Sequence, residues 1–524
     1  MFYFVSLYSQ DSDNARTPTW QTDTSAPTQA MISLDGSLTV DDVRAVADSE
    51  SVQLADNARE RMQRSRDAVD DIIDRDKSSV YGVSTGFGDL KDISVGRAEM
   101  EQHQQNLLRS HHAATGPPVS SRLTRAIIAV RANALAVGVS GVRPALVDRL
   151  CTLLNEDILP LVPSQGSSDN ACELANVGLV LTGEGKALVD GEWRSGTEPL
   201  NAAGLDAFRF GPKESIALIS GTAVTTAQTA IAIADLRSLV NAADIAGAWT
   251  FELVGQEPGA FDDRIFDVRP VAGHATTASR VRALTSATPA AGADMTQDPL
   301  SIRCLPQVNG ALREHLGMAT AAVETELESA TDNPLVFPDG TARSCGAFNA
   351  QHVAGVADLL ALTTRKVGAA SEARSSLLLA ADAHSSHLAD EPGLESGLAR
   401  AQYSAASLLT EAGTLDTASD RSFVASSGQE DVHSVGNLAS ANLLETVDKI
   451  ARVVAIELLC CARATRQTDA SLPDGLAAAR QFVESTVDMQ AGDVPWSADI
   501  TALGDALRTG ALGDAVGERG VDIE

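Results

Sequence analysis

A 524-residue chain with 44% hydrophobic residues can bury a large core, so the protein is neither a peptide nor a disordered chain. A net charge of -30, from 70 acids against 40 Lys and Arg, excludes ready binding to nucleic acid or to anionic membranes, which need clustered bases. Six of the bases are lysines (Lys77, Lys91, Lys186, Lys213, Lys366 and Lys449), and this acidic, lysine-poor composition points to a cytoplasmic protein in a high-salt cytosol. The six cysteines (Cys151, Cys172, Cys304, Cys345, Cys460 and Cys461) form no C-x-x-C pair, which fits reduced thiols.

The opening MFYFVSLYSQ is apolar but has no basic n-region and is too short to span a membrane. Residues 1–30 read as a disordered acidic and polar tail, or as a mis-called start of translation. The region 31–211 mixes short helices with loops. Thr39 and the acids after it predict a helix start, and ADNARERMQRSRDAVDDIIDRD predicts a second helix. VYGVSTGFGDL, with three glycines, is a loop. RLTRAIIAVRANALAVGV and PALVDRLCTLLNEDILP have helical spacing, and ELANVGLVLTGEGKALVDG predicts a short helix, a turn and a hairpin.

From 212 to 490 the chain becomes alanine-rich and low in charge. PKESIALISGTAVTTAQTAIAIADLRSLVNAADIAGAWTFELVG reads as one very long helical run, with Pro212 in its first turn. The segments after VNGALREHL, QHVAGVADLL and SVGNLASANLL repeat that character. Helices apolar on several sides bury several sides, so the fold class is all-α with a long central bundle. Charged residues recur inside each helix, so none reads as a membrane span. Residues 491–524 read as a loose acidic tail.

Several loops carry polar residues that packing does not require. Tyr81, in YGVSTGFG, is a candidate general base where positive neighbours lower its pKa; a plain turn is the alternative. His111 and His112 are adjacent, so at most one faces a given pocket. Gln297 and Arg303 sit in the proline-bounded TQDPLSIRCLPQV, where an arginine can clamp a carboxylate or form a salt bridge. Phe348 lies near the end of the SCGAFNAQH loop, and Glu430 with Asp431 reads as opening a buried helix. His384 and His387, three apart on one helical face, have no further ligand cluster, so no metal is expected. SQGSSDNACELA leads directly into an apolar helical run, with Cys172 and Glu173 at the junction.

Taken in order, YGVSTGFG, NLLRSHHAATG, GSSDNACELANVGLVLTGEG, GPKESIALISGT, QDPLSIRCLPQVNGA, TDNPLVF, GAFNAQHVAGVADLL and GQEDVHSVG resemble the aromatic amino acid ammonia-lyase family, histidine ammonia-lyase most closely. The resemblance implies that family's all-α fold, with a smaller N-terminal region carrying active-site loops. It also implies a homotetramer whose sites combine loops of three subunits, and an amino acid or related carboxylate as ligand. By the same resemblance Tyr81 falls on the catalytic base, Arg303 on the carboxylate clamp, and Gln297, Glu430, Phe348 and His111 on pocket positions. Ser220 and Leu300 stand where the family has an asparagine and a tyrosine.

The family builds an electrophile, methylidene imidazolone, from an Ala-Ser-Gly triad. Here that triad falls on Asn170, Ala171 and Cys172, and alanine has no β-leaving group. The expectation is therefore a protein without this prosthetic group or any other cofactor, binding an amino acid or carboxylate and catalysing an elimination without it. Two alternatives stand beside this: a non-catalytic homologue that binds ligand or assembles with an active paralogue, and an ordinary histidine ammonia-lyase whose electrophile forms from Ala171-Cys172-Glu173.

Overall fold

A computed structural model of the chain describes residues 31–75, 80–255, 257–286, 296–468 and 471–521. The tail expected over 1–30 lies outside the described residues. The N-terminal region contains α1 (Val40–Ala47), α2 (Asp56–Arg75), α3 (Met100–His111), α4 (Ser121–Ala136), α5 (Pro144–Asn155), α6 (Ala171–Leu181) and α7 (Glu198–Ala202). The central region runs through α8 (Glu214–Ile219), α9 (Ala223–Val254), α10 (Asp263–Val268), α11 (Ala272–Leu284), α12 (Leu300–Arg303) and α13 (Leu305–Leu327). It continues with α14 (Gln351–Ala380), α15 (Ala399–Gly413), α16 (Gly436–Thr468), α17 (Asp474–Thr486), α18 (Ser497–Thr509) and α19 (Ala511–Gly517).

Local chemistry sets the ends of these elements. Thr39 caps α1 with a full capping box: its Oγ1 accepts from Asp42 N–H, and the Asp42 carboxylate accepts from Thr39 N–H. Strands are short. β1 (Ile32–Leu34) pairs in parallel with β2 (Val52–Leu54), and β3 (Thr115–Pro118) pairs antiparallel with β5 (Pro163–Gln165). β4 (Leu159–Pro160) joins the hairpin of β6 (Lys186–Val189) and β7 (Glu192–Ser195). That hairpin turns at Asp190-Gly191, both at positive φ, as a two-residue hairpin turn requires.

The long helices α9, α13, α14 and α16 pack against one another and form the core. α9 is buried on all sides over most of its 32 residues. At its centre Glu457 of α16 takes two hydrogen bonds from Arg374 of α14, at 2.6 and 2.8 Å, and one from Thr250 of α9 at 2.8 Å. Buried charges are tolerated when both carboxylate oxygens are matched in this way. The stretch 214–254 is long and apolar enough to cross a membrane, but 94% of its most apolar window is buried inside the protein.

The structure corrects four local expectations. The run from 212 is not one helix: it breaks at Ser220-Gly221-Thr222, where Gly221 has φ +148 and a Cβ would strike Arg131 and Thr331. Pro212 precedes that helix rather than starting it, because Lys213 turns at φ +77. The end is no loose tail, since α18 and α19 bury Leu503, Leu507, Leu512 and Val516. His384 and His387 do not share a helical face: α14 stops at Ala380, and His387 sits at φ +57 in a short 3-10 turn.

Candidate active site

The loop SQGSSDNACELA joins β5 to α6. Asp169 starts the helix by accepting Ala171 N–H at 3.0 Å. Asn170 does not cap its own helix. Its amide nitrogen donates to Gly221 O, and its Oδ1 accepts from Val224 N–H, an otherwise orphaned donor in the first turn of α9. The break at 220–222 therefore exists where the loop needs it, and it brings Ser220 beside the loop.

Asn437, second residue of α16, ties the loop from the other side. Its Nδ2 donates to Asp169 O and to Glu173 Oε1 (2.9 Å), and its Oδ1 accepts from Thr225 Oγ1 at 2.9 Å. Glu173 is 5% exposed and its Oε2 has no hydrogen-bond partner among the described residues. Burial pushes its carboxyl up to about 7, against smaller opposing contributions from Ser167, its own N–H and Asn437. Cys172 is half-buried, and burial, then the carboxylates of Glu173 and Asp169, raise its thiol. A thiol shifted in that direction is a poor nucleophile at neutral pH. A cavity of about 460 Å³ opens beside Glu173, between residues 163–168 and the first turns of α9 and α16.

A second group forms on the glycine-rich loop. Tyr81 Oη accepts from Gly88 N–H at 3.1 Å, and Glu430 approaches the same turn. Burial raises the Tyr81 pKa, and the Glu430 charge adds to it; the positive neighbours that would lower it are not among the causes. Phe87 packs edge-on against Tyr81 at 6.1 Å, and His103 stacks on Phe87 at 4.6 Å. Glu430 and Asp431 do not open a helix, because α16 begins only at Gly436.

Five further candidates lie on α3, on α12 and the residues before it, and before α14. His111 ends α3, its Nδ1 3.0 Å from Leu107 O. Gln297 and Leu300 are exposed, Leu300 at 62%. Arg303, at the end of α12, is half-buried; its Nε is buried without a partner, and it forms no ion pair among the described residues. Phe348 precedes α14 and is exposed. Among the described residues, no hydrogen bond or ion pair links Arg303 or Phe348 to the Tyr81 turn or to the 169–173 loop. Sequence reasoning missed Asn437 and His103. A polar Asn at the start of an apolar helix, in GNLAS, was the available signal for the first.

Among the described residues no cluster of three or more His, Cys, Asp or Glu could hold a metal. A ring built from backbone has different requirements. Ala171 carries no β-atom to expel, but Cys172 carries a sulfur, and the Glu173 N–H lies in the first turn of α6, where no intrahelical acceptor exists. In the register Ala171-Cys172-Glu173 a β-leaving group is available, while the Glu173 side chain, held by Asn437, sits at the nitrogen that would close the ring.

Residues 38–486 match the family model described as aromatic amino acid lyase. The chain is 39% identical over 510 residues to a probable histidine ammonia-lyase of Halobacterium salinarum, covering 92% of this chain and 97% of the relative. Among solved structures, histidine ammonia-lyase from Trypanosoma cruzi matches with TM-score 0.86 and 31% identity over 93% of this chain and 95% of that one. Tyrosine aminomutase from Streptomyces globisporus matches with TM-score 0.89 and 30% identity over 94% of this chain and 100% of that one. These matches overturn the expectation of a protein without a cofactor: the family and its histidine ammonia-lyases use methylidene imidazolone.

Proposed function

Because the chain belongs to the aromatic amino acid lyase family, we propose that it is a histidine ammonia-lyase-like enzyme that binds an amino acid and expels its amino group. Arg303 carries this reading. A guanidinium with a buried, unpartnered Nε and no ion pair is an incomplete structural element, and a substrate carboxylate completes it by bidentate hydrogen bonding. Leaving such a group unmatched costs about 1–3 kcal/mol, which binding recovers.

Tyr81 takes the β-proton. Its pKa is raised, so the phenolate is scarce at neutral pH and strongly basic when formed; the rate should climb with pH well into the alkaline range. Glu430 faces the same turn and positions the substrate's polar end, while Gln297, Phe348, His111, Ser220 and Leu300 shape the pocket. By the family resemblance, the full site combines loops from neighbouring subunits, in a homotetramer or with a paralogue. When present, the prosthetic group would supply an electrophilic carbon for the substrate. Asn170, Gly221, Val224 and Asn437 hold its loop still. The acidic composition and the Halobacterium relative support a salt-rich cytosol as the setting.

Intact mass tests this directly. Closing Ala171-Cys172-Glu173 into the ring removes one water and one hydrogen sulfide from the chain. That mass, with alkaline-favoured release of ammonia from histidine and a strongly raised KM in Arg303→Ala, is the expected outcome. Alanine at 171 and leucine at 300 favour a second reading, a homologue that binds an amino acid and lends residues to an active paralogue. Unmodified mass, no turnover and retained, Arg303-dependent amino acid binding would select it.

A further inference from the structure

Behind the loop lies a cavity with one unusual property. Among the described residues that line it, Glu173 is the one ionisable side chain; there is no Lys, Arg or His. The rest is apolar (Val119, Ile127, Val162, Val435) or neutral and polar. Glu173 is 5% exposed, yet one carboxylate oxygen is bound by Asn437 and the other, Oε2, is unmatched. The volume of about 460 Å³ falls within the range of small-molecule sites. Phe423 contributes an aromatic ring to the wall, and its stacking partner His433 lies 4.0 Å away.

We propose that this cavity binds a compact organic cation, a protonated amine with an apolar body, whose N–H donates to Glu173 Oε2 while its hydrocarbon part rests on the valine and isoleucine wall beside Phe423. An anion finds no positive partner here, and a neutral apolar molecule leaves Oε2 unmatched. An ammonium satisfies the carboxylate and gains from an aromatic face. The side chains that hold the cation are distinct from Tyr81 and Arg303, although Glu173 also supplies the backbone nitrogen of the ring proposed above.

Binding should depend on pH. Glu173 titrates at about 7, so affinity for a cation is high at pH 8 and falls about tenfold by pH 6. The charged groups nearest Glu173 are Asp169 and the Cys172 thiol on its own loop; α9 and α16 offer the neutral Val224, Gln228 and Asn437, and His433 stands behind Phe423.

The test is calorimetry on the full chain at constant ionic strength, with n-butylammonium as probe and n-butanol and butyrate as controls. Butylammonium alone should bind at pH 8, weaken about tenfold at pH 6, and lose at least about tenfold in affinity in Glu173→Gln, which keeps the Asn437 hydrogen bond. Ala441→Phe, which fills the cavity from α16 and leaves the carboxyl in place, should abolish binding; it serves should Glu173→Gln fail to fold. Equal binding of butanol, stronger binding of butyrate, a flat pH dependence, or unchanged affinity in Ala441→Phe would each overturn the assignment.

Discussion

Two buried glutamates in one protein have opposite surroundings. Glu457, in the bundle, has both oxygens engaged by Arg374 and Thr250 and is fully buried. Glu173, in the loop region, is buried almost as deeply but has no cation against it and one oxygen unmatched beside a cavity. The first is a closed unit whose role ends with holding α9, α14 and α16 together. The second is an open unit that tolerates the cost of a bare carboxyl, and such a cost persists where something outside the chain relieves it.

The comparison is easiest to break at the closed unit. Arg374→Ala should destabilise the protein by about 3–5 kcal/mol, because it strands the Glu457 charge in the core. Denaturant titration checks this, and a loss below about 1 kcal/mol would show that water reaches the pair. The open unit should respond in the other direction. The folded pKa of Glu173 lies above its unfolded value, so the folded state binds more protons between about 4.5 and 7, and stability falls as pH rises through that window. Glu173→Gln removes this titration and should raise stability at pH 8 relative to pH 5 by on the order of 2–3 kcal/mol. A melting difference that does not change between the two pH values would contradict the assigned burial. The smallest effect belongs to Asn170, which reaches across to cap α9: Asn170→Ala should cost about 1–2 kcal/mol, read from the denaturation midpoint.

Much of this was legible in the chain. The capping box at Thr39, the Asp190-Gly191 hairpin and the wholly apolar helices of the bundle depend on neighbours close in sequence, and their spacing sufficed. The ordered motifs named the family, and the comparisons agree. The misreadings share a cause. The helix break at Gly221 looks like continuous helix in sequence, because the reason for it is steric: Arg131 and Thr331 occupy the space a Cβ would need. The C-terminal segment looked like a tail because Leu503, Leu507, Leu512 and Val516 are thinly spaced among glycines and acids, and their burial depends on what packs over them. The expectation of no cofactor rested on three residues and was overruled by family membership across residues 38–486.

Sequence by itself determined the all-α class, the long buried helices and which side chains were chemically able to act, since hydrophobic period and residue type are local properties. Tertiary structure alone decided that Asn170 caps a helix by accepting from a residue 54 positions on, that Asn437 grips Glu173, and that Glu173 is left half-matched at a cavity wall. Hydrogen-bond partners and desolvation are set by whatever the fold brings alongside, and no single stretch of chain contains that information.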